Sequence, residues 1–202
     1  MSTRYDVVVV GSGSAGASAA ITAAREGART LLVDRLAFMG GTSTAVLDTF
    51  YAFYTPGERP RRVVGGIGWE VVERLRQEGV AFERPNTYGA GTGVTYDQET
   101  LKVVWEELAA DAGVELLLHT WATGVRVTDR AIEAVRLWNK GGERWVEAAV
   151  VVDASGDADV AAMAGASYDN AAKQGRVQSL STLFKLANVD VERASSVKKA
   201  QL

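Results

Sequence analysis

Between a run of β-branched residues ending at Val10 and an alanine-rich stretch beginning at Ala17 lies Gly11-Ser12-Gly13-Ser14-Ala15-Gly16, and no other feature restricts the fold as tightly. Tyr5–Val10 reads as a strand buried on both faces, the pattern of a parallel sheet. Residues 17–26 read as a helix stopped by Gly27, and Thr30–Val33 as a second short strand ending in Asp34. Together they make a βαβ unit, and in that setting each glycine has a mechanism. Gly11 permits the tight turn, Gly13 lets the backbone approach a pyrophosphate, and Gly16 lets the helix pack close to the strand. The helix N-terminus offers N–H groups and partial positive charge to phosphates, with Ser12 and Ser14 as added hydroxyl donors. Asp34 stands where a carboxylate accepts both hydroxyls of an adenosine ribose and repels a 2′-phosphate, which disfavours NADP and leaves NAD and FAD open.

Composition removes several other classes. The 202 residues, 47% hydrophobic and 23% charged, suffice for one complete domain and part of a second. Net charge is −3, and no basic tract is longer than Arg59-Pro60-Arg61-Arg62, so neither nucleic acid nor a membrane surface is an expected partner and a small-molecule substrate is. With no Cys and one His, a disulfide framework, a thiolate metal site and a multi-His cluster are excluded, and no metal is expected. No apolar stretch approaches membrane-spanning length, and the Val7–Val10 run is too short for a signal peptide, so a soluble cytoplasmic location is expected.

From Thr44 to about Thr95 aromatic residues and prolines dominate; one helix over Gly68–Gly79 stands out, with the rest read as loop inserted into the sheet domain. Asp97 caps a helix over Gln98–Ala112, whose stripe is Leu101, Val104, Trp105 and Leu108. Val114–His119 reads as a buried strand, and segments near 122–128, 131–138 and 143–149 as an antiparallel meander. Val150–Asp153 returns to the buried parallel style, a helix follows over Ala158–Ala164, Leu180–Leu186 has strand character, and the last dozen residues read as a polar helix or tail.

After Asp34 come Arg35, Leu36, Ala37, Phe38 and Met39, then Gly40-Gly41-Thr42-Ser43-Thr44; far along the chain stands Val151-Val152-Asp153-Ala154-Ser155-Gly156-Asp157. With these segments the sequence resembles the FAD-dependent oxidoreductases of glutathione-reductase-like fold, most of all the group related to the succinate dehydrogenase and fumarate reductase flavoproteins. The resemblance runs from Tyr5 to about Asp190. It implies an α/β fold: a Rossmann-like FAD-binding domain with a central parallel sheet and an antiparallel β-meander, plus the start of a substrate domain. Residues 1–45 and 96–172 would form the FAD-binding domain, 46–95 an insertion near the flavin, and 173–202 the incomplete beginning of the substrate domain.

The resemblance also implies a site for non-covalent FAD. Gly40, Gly41, Thr42, Ser43 and Thr44 would wrap the pyrophosphate and ribityl chain, and Ala154, Ser155, Gly156 and Asp157 would return to the phosphates. Leu117–Ala122 matches the adenine strand, with the Ala122 backbone on the adenine; Trp121 is bulkier than the family pattern and either covers the adenine or faces solvent. Gly11, Ser12, Gly13, Ser14, Ala15, Gly16, Asp34 and Arg35 complete the expected cofactor contacts. The implied activity is oxidation of a small molecule by hydride transfer to flavin N5, with no catalytic residue singled out. A non-catalytic FAD-binding half-protein and an NAD-dependent dehydrogenase are the competing readings. No second glycine fingerprint appears and no CxxxxC, so a pyridine nucleotide domain and disulfide reductase chemistry are not expected. Family members are longer, so a second polypeptide chain completing the substrate domain is expected, either a separate subunit or the remainder of a cleaved chain, with homodimer pairing through the edge at Leu180–Leu186 as the lesser alternative.

Four further groups carry two readings each. His119 is a candidate base or a surface histidine. Asp157 and Asp159 cap the helix at Ala158 or touch the cofactor. Phe50, Tyr51, Phe53 and Tyr54 wall a flavin or substrate pocket or pack a core, and Arg59, Arg61 and Arg62 bind a substrate carboxylate or form an exposed loop.

Overall fold

A computed structural model describes residues 4–51, 53–57, 59–85, 91–169, 173, 175, 177, 182–184 and 186–196. The chain divides into two compact units, Met1–Asp169 and Asn170–Leu202. In the first, β1 (Arg4–Val10), α1 (Ser14–Arg25) and β2 (Thr30–Val33) form the βαβ unit, followed by α2 (Thr42–Ala45), β3 (Thr49–Phe50), α3 (Gly66–Gln77), β4 (Ala81–Pro85) and β5 (Thr92–Tyr96). Then come α4 (Gln98–Asp111), β6 (Glu115–Leu117), β7 (Trp121–Thr128), β8 (Ala131–Asn139), β9 (Gly142–Asp153) and α5 (Asp159–Met163).

The main sheet has the order β6-β2-β1-β9-β8-β7. β2 and β9 flank β1 in parallel, and β6 pairs in parallel with β2. Alternation along β1 and β2 assigns their two faces. Val9 and Leu32 pack into a core with Ala17, Ala20 and Ile21 of α1, Val71 and Leu75 of α3, and Leu101, Trp105 and Leu108 of α4. Val8, Val10, Leu31 and Val33 face the meander through Val135, Leu137 and Val146. Burial of apolar surface in these two layers stabilises the sheet, and they set the carboxyl ends of the parallel strands side by side.

The structure revises the sequence reading at several points. The segments expected at 143–149 and 150–153 are one twelve-residue strand: β9 pairs antiparallel with β8 up to Glu147, then parallel with β1 from Glu147 to Asp153. No turn residue separates the halves, so the strand changes partner without breaking. The insertion is not loop apart from α3, because β3, β5 and β4 form an antiparallel sheet in that order. Gly93 in β5 and Pro85 ending β4 hide its alternation. The strand at Val114–His119 shrinks to three residues, since His119 adopts φ 51° and leaves the ladder.

In the second unit, α6 (Val191–Ser196) begins under Asp190, whose Oδ1 accepts from the Arg193 N–H at 2.9 Å. Of the strand expected over Leu180–Leu186, residues 182–184 and 186 have no regular structure, as befits a segment with no partner strand among the described residues; Leu180, Ser181 and Lys185 lie outside them. Among the described residues no helix is long and apolar enough to cross a membrane.

Candidate functional site: a cleft at the strand ends

Backbone hydrogen bonds lace the carboxyl ends of four strands. The Gly11 N–H donates to Val33 O and the Ala154 N–H to Val10 O, both at 2.8 Å, while the Asp34 N–H donates to Leu117 O at 3.1 Å and the Thr120 N–H to Asp34 O at 2.9 Å. Above them opens a cleft of about 370 Å3. Gly11, Gly13, Asp34, Arg35, Gly41, Thr42, Ala122, Ala154, Ser155 and Gly156, all expected site residues, line it.

The glycines act differently from one another. Gly11 has φ +99°, and a Cβ there would sit 2.2 Å from Ala154 O; a Cβ on Gly16 would lie 1.8 Å from Gly11 O. Both therefore serve close packing of α1, the loop and the end of β9. A Cβ on Gly13 would meet only Gly41 Cα, at 4.0 Å, so packing within the chain does not demand glycine there, and the residue lines the cleft. Gly13 caps α1, and the first turn of that helix holds no acidic residue. The N–H groups of that turn, with the helix dipole behind them, are by their chemistry an anion site next to Gly13, which lines the cleft. Ser14 and Ala15 are exposed at that turn and Gly16 is buried; none of the three lines the cleft.

Asp34 is buried and fully engaged within the chain. Its Oδ2 accepts from the N–H and from the hydroxyl of Ser12, each at 2.6 Å, and its Oδ1 accepts from the Leu36 N–H at 2.8 Å. The structure therefore moves Ser12 behind the loop, where its hydroxyl holds Asp34 instead of facing a phosphate. Oδ2 is taken up by its two bonds, but Oδ1 accepts only one and can accept a further bond, so Asp34 keeps capacity for one ribose hydroxyl from the cleft.

Two glycine segments distant in sequence meet over this carboxylate. The Gly40 N–H donates to Ser12 O at 2.8 Å, and Gly13 and Gly40 form a parallel bridge. Thr44 is buried and gives its hydroxyl to Met39 O at 2.7 Å, so like Gly40 it shapes the turn from behind while Thr42 faces the cleft. Ser43 lies outside the lining, its hydroxyl 3.3 Å from that of Ser14. The sequence reading missed what secures this segment: Tyr96 OH donates to Ser43 O at 2.9 Å, and Gln98 Nε2 donates to Leu47 O at 2.5 Å. Burial raises the Tyr96 phenol well above its ordinary value, so it remains a donor. A buried Tyr and Gln flanking the helix cap Asp97 were the only signals available.

At the end of β9, Asp153 Oδ1 accepts from the hydroxyl and N–H of Ser155 at 2.7 and 3.1 Å, its Oδ2 accepts from the Ala161 N–H at 2.8 Å, and Ser155 Oγ accepts from the Asp159 N–H at 2.9 Å. The donors at the start of α5 are thus met by Asp153 and Ser155, whereas Asp157 is exposed, makes no cap and lies outside the cleft lining; Asp159 lines it instead. Burial raises the Asp153 carboxyl, but the hydrogen bonds from Ser155, Ala161 and Val160 outweigh it and hold the group below its ordinary 3.8. A depressed folded-state value stabilises the fold fully above the unfolded value and loses that contribution as pH falls through the folded one. Asp153→Asn is therefore expected to cost about 1–2 kcal/mol at neutral pH, the gap to the parent closing as the pH falls below 3.8. Thermal melts across that range check it; a gap that stays constant in acid contradicts it.

The remaining candidates lie off the cleft. His119 is exposed at the turn before β7, its N–H bonded to Leu36 O at 3.0 Å. Phe50 stacks on Tyr96 at 4.2 Å, Phe53 packs with Val72 and Val94, and Tyr54 meets Trp69 edge-on, so three of the four aromatics pack within the insertion while Tyr51 is exposed. Arg59 and Arg61 are exposed, and Arg62 lies over the Trp69 ring at 4.2 Å.

Comparison with known proteins agrees with this geometry. A family model described as FAD dependent oxidoreductase matches residues 6–202. Digeranylgeranylglycerophospholipid reductase of Methanosarcina mazei is 26% identical over 175 residues, covering 77% of this chain and 39% of that protein. Vinyl phenol reductase of Lactiplantibacillus plantarum is 29% identical over 164 residues, covering 66% and 33%. This chain thus spans less than half the length of both relatives. Among solved structures, a geranylgeranyl bacteriochlorophyll reductase-like protein of Thermoplasma acidophilum superposes with a TM-score of 0.57 at 17% identity, over 82% of this chain and 43% of that one. A flavocytochrome c3 fumarate reductase does so with 0.55 at 20% identity, over 75% and 33%. At these identities the two structures show a shared fold.

Proposed function

The chain belongs to the FAD dependent oxidoreductase family, and on that premise we propose that it holds FAD non-covalently in the strand-end cleft and exchanges a hydride between the flavin and a small organic substrate. FAD is the family's cofactor, and when bound it supplies a hydride acceptor at N5. One observation carries the reading: Gly11, Gly13, Asp34, Gly41 and Ala154–Gly156, separated by up to 145 positions between Gly11 and Gly156, line a single cleft. The open side of Gly13 fits a pyrophosphate, the α1 N-terminus neutralises it, and Asp34 is held by Ser12 and Leu36 to meet a ribose. Tyr96 and Gln98 keep the Gly41–Leu47 segment in place beside it.

Oxidation of the substrate is one direction of this chemistry; the relatives that are reductases by name favour the reverse, reduction of a lipid or phenolic compound. Purified chain is expected to be yellow and to release a cofactor with the mass of FAD. A colourless protein that takes up NAD and ignores FAD overturns the proposal.

We also propose, as a partner, a second stretch of polypeptide that completes the substrate side. Among the described residues, Ala148–Asp153 pairs with β1 alone, and Val150 is 54% exposed there, leaving an open strand edge of the kind that recruits another strand. Light scattering and denaturing mass analysis of native material test this. A flavoprotein that stays yellow but is bleached by no donor until a second chain is supplied supports it, and a monomer that turns over substrate unaided refutes it.

A further inference from the structure

The segment that brings Gly41, Thr42, Ala45 and Val46 to the cleft cannot hold its own shape. Its helix α2 is a single turn of four residues, two of them β-branched threonines, and no side chain caps it at Gly41. Nucleating one helical turn fixes several backbone dihedrals for very few hydrogen bonds and is unfavourable in isolation. Much of the outside support comes from one short stretch, residues 96–102. Tyr96 OH donates to Ser43 O at 2.9 Å and lies 3.4 Å from Leu47 O, Gln98 Nε2 donates to Leu47 O at 2.5 Å, and the Lys102 ammonium sits 4.2 Å from the centre of the Phe38 ring. Tyr96 and Gln98 are buried, so losing either donor leaves a carbonyl poorly placed to find water instead.

Tyr96 is also the joint of the insertion. It ends β5, the central strand of the β3-β5-β4 sheet. Its N–H donates to Asp48 O at 2.9 Å, and the next N–H, that of Asp97, donates to Val80 O at 3.1 Å. Its ring stacks on Phe50 at 4.2 Å, Phe50 meets Phe53 at 5.6 Å, and Phe53 meets Trp69 of α3 at 6.0 Å. A row of four rings therefore runs from the cleft segment through β5 and β3 to α3. The hydroxyl that fixes Ser43 O is itself fixed by the packing of the insertion.

We propose that Tyr96 and Gln98 are positioning residues for cofactor binding, through which the insertion sets the affinity for FAD: a seated insertion holds the Gly41–Leu47 turn in its binding-competent form, and bound FAD in return tightens the insertion. The proposal rests on FAD occupying the cleft. Neither residue lines the cleft, so each acts through the carbonyls of Ser43 and Leu47. The apparent dissociation constant rises in inverse proportion to the competent fraction, and linkage makes the coupling reciprocal.

Calorimetric titration of the flavin-stripped 202-residue chain with FAD tests it on the parent, Tyr96→Phe and Gln98→Met, with FAD-free melting of each and amide exchange with and without FAD. Tyr96→Phe keeps the row of rings and removes only the hydroxyl; Gln98→Met keeps the length of the side chain and removes only the donor. Each variant is expected to bind FAD roughly five- to tenfold more weakly. In the parent, FAD is expected to slow exchange both at the Ala45, Val46 and Leu47 amides of the turn and at the Tyr96 and Asp97 amides of the insertion, the second effect shrinking in both variants. Variants that melt lower but bind FAD as tightly as the parent show a merely structural role and overturn the proposal, leaving the cofactor reading intact. So does a parent in which FAD slows the turn and leaves Tyr96 and Asp97 unchanged, a readout that needs no variant to fold. A parent chain that binds no FAD removes the cofactor reading and this inference with it.

Discussion

Gly13→Val is expected to yield a folded chain that binds no FAD, and Gly16→Ala a chain that fails to fold stably. The contrast follows from where each new side chain would go. At Gly13 the added Cβ meets only Gly41 Cα, at 4.0 Å, and φ is −60°, a conformation any residue adopts. The protein accommodates the change, and the branches of valine fill the space above the loop where a pyrophosphate must approach the backbone. At Gly16 the added Cβ would stand 1.8 Å from Gly11 O and 2.9 Å from Ala154 Cβ. Backbone cannot yield as a side-chain tip can, so α1 must shift away from β1 and open the core around Ala17, Ala20 and Ile21. Overpacking of this kind costs about 1–3 kcal/mol where rotamers relieve it, and more here because nothing flexible is in the way. Circular dichroism and flavin content of the two variants decide the matter. A Gly13→Val protein that keeps a full complement of FAD would refute the placement of the cofactor over this loop.

Asp34→Ala is expected to damage stability and cofactor binding together. Removing the carboxylate leaves the N–H and hydroxyl of Ser12 and the N–H of Leu36 without their acceptor. Each unsatisfied buried donor costs about 1–3 kcal/mol, and relaxation of the loop recovers part of the total, so a net loss of about 2–4 kcal/mol is expected, or a fall in melting temperature of about 5–15 °C for a domain of this size. The FAD-free protein should show this loss, which separates the internal role of Asp34 from its contact with a ribose. Ser12→Ala supplies the complementary result: it removes one donor and leaves the carboxylate, so stability should fall by about 1 kcal/mol while FAD binding weakens through a less firmly held Asp34. Unchanged melting in Asp34→Ala would show that the three internal bonds carry no net stability.

The sequence by itself determined the βαβ unit and its cofactor class. The periodicity switch at Gly11 and Gly27 is local, and each element owes its form to neighbours within a few residues: Tyr5–Val10 to β-branching, α1 to alanine, α4 to the Asp97 cap, whose Oδ1 accepts from the Thr100 N–H at 2.8 Å. The glycines at 11 and 16 were legible for the same reason, because a close turn between strand and helix restricts residue type there.

What only the tertiary structure decided concerns partners far apart in the chain. That Asp34 is bound by Ser12, that Tyr96 and Gln98 hold the Gly41–Leu47 segment, and that Asp153 with Ser155 supplies the bonds expected of Asp157 are matters of which donor reaches which acceptor after packing. The change of partner along β9 and the insertion's own sheet belong to the same class. Strand pairing is a non-local interaction, specified by a neighbour's register as much as by the strand's own residues. A side chain's hydrogen-bond partner is likewise set by the geometry of the assembled core, which local propensity does not encode.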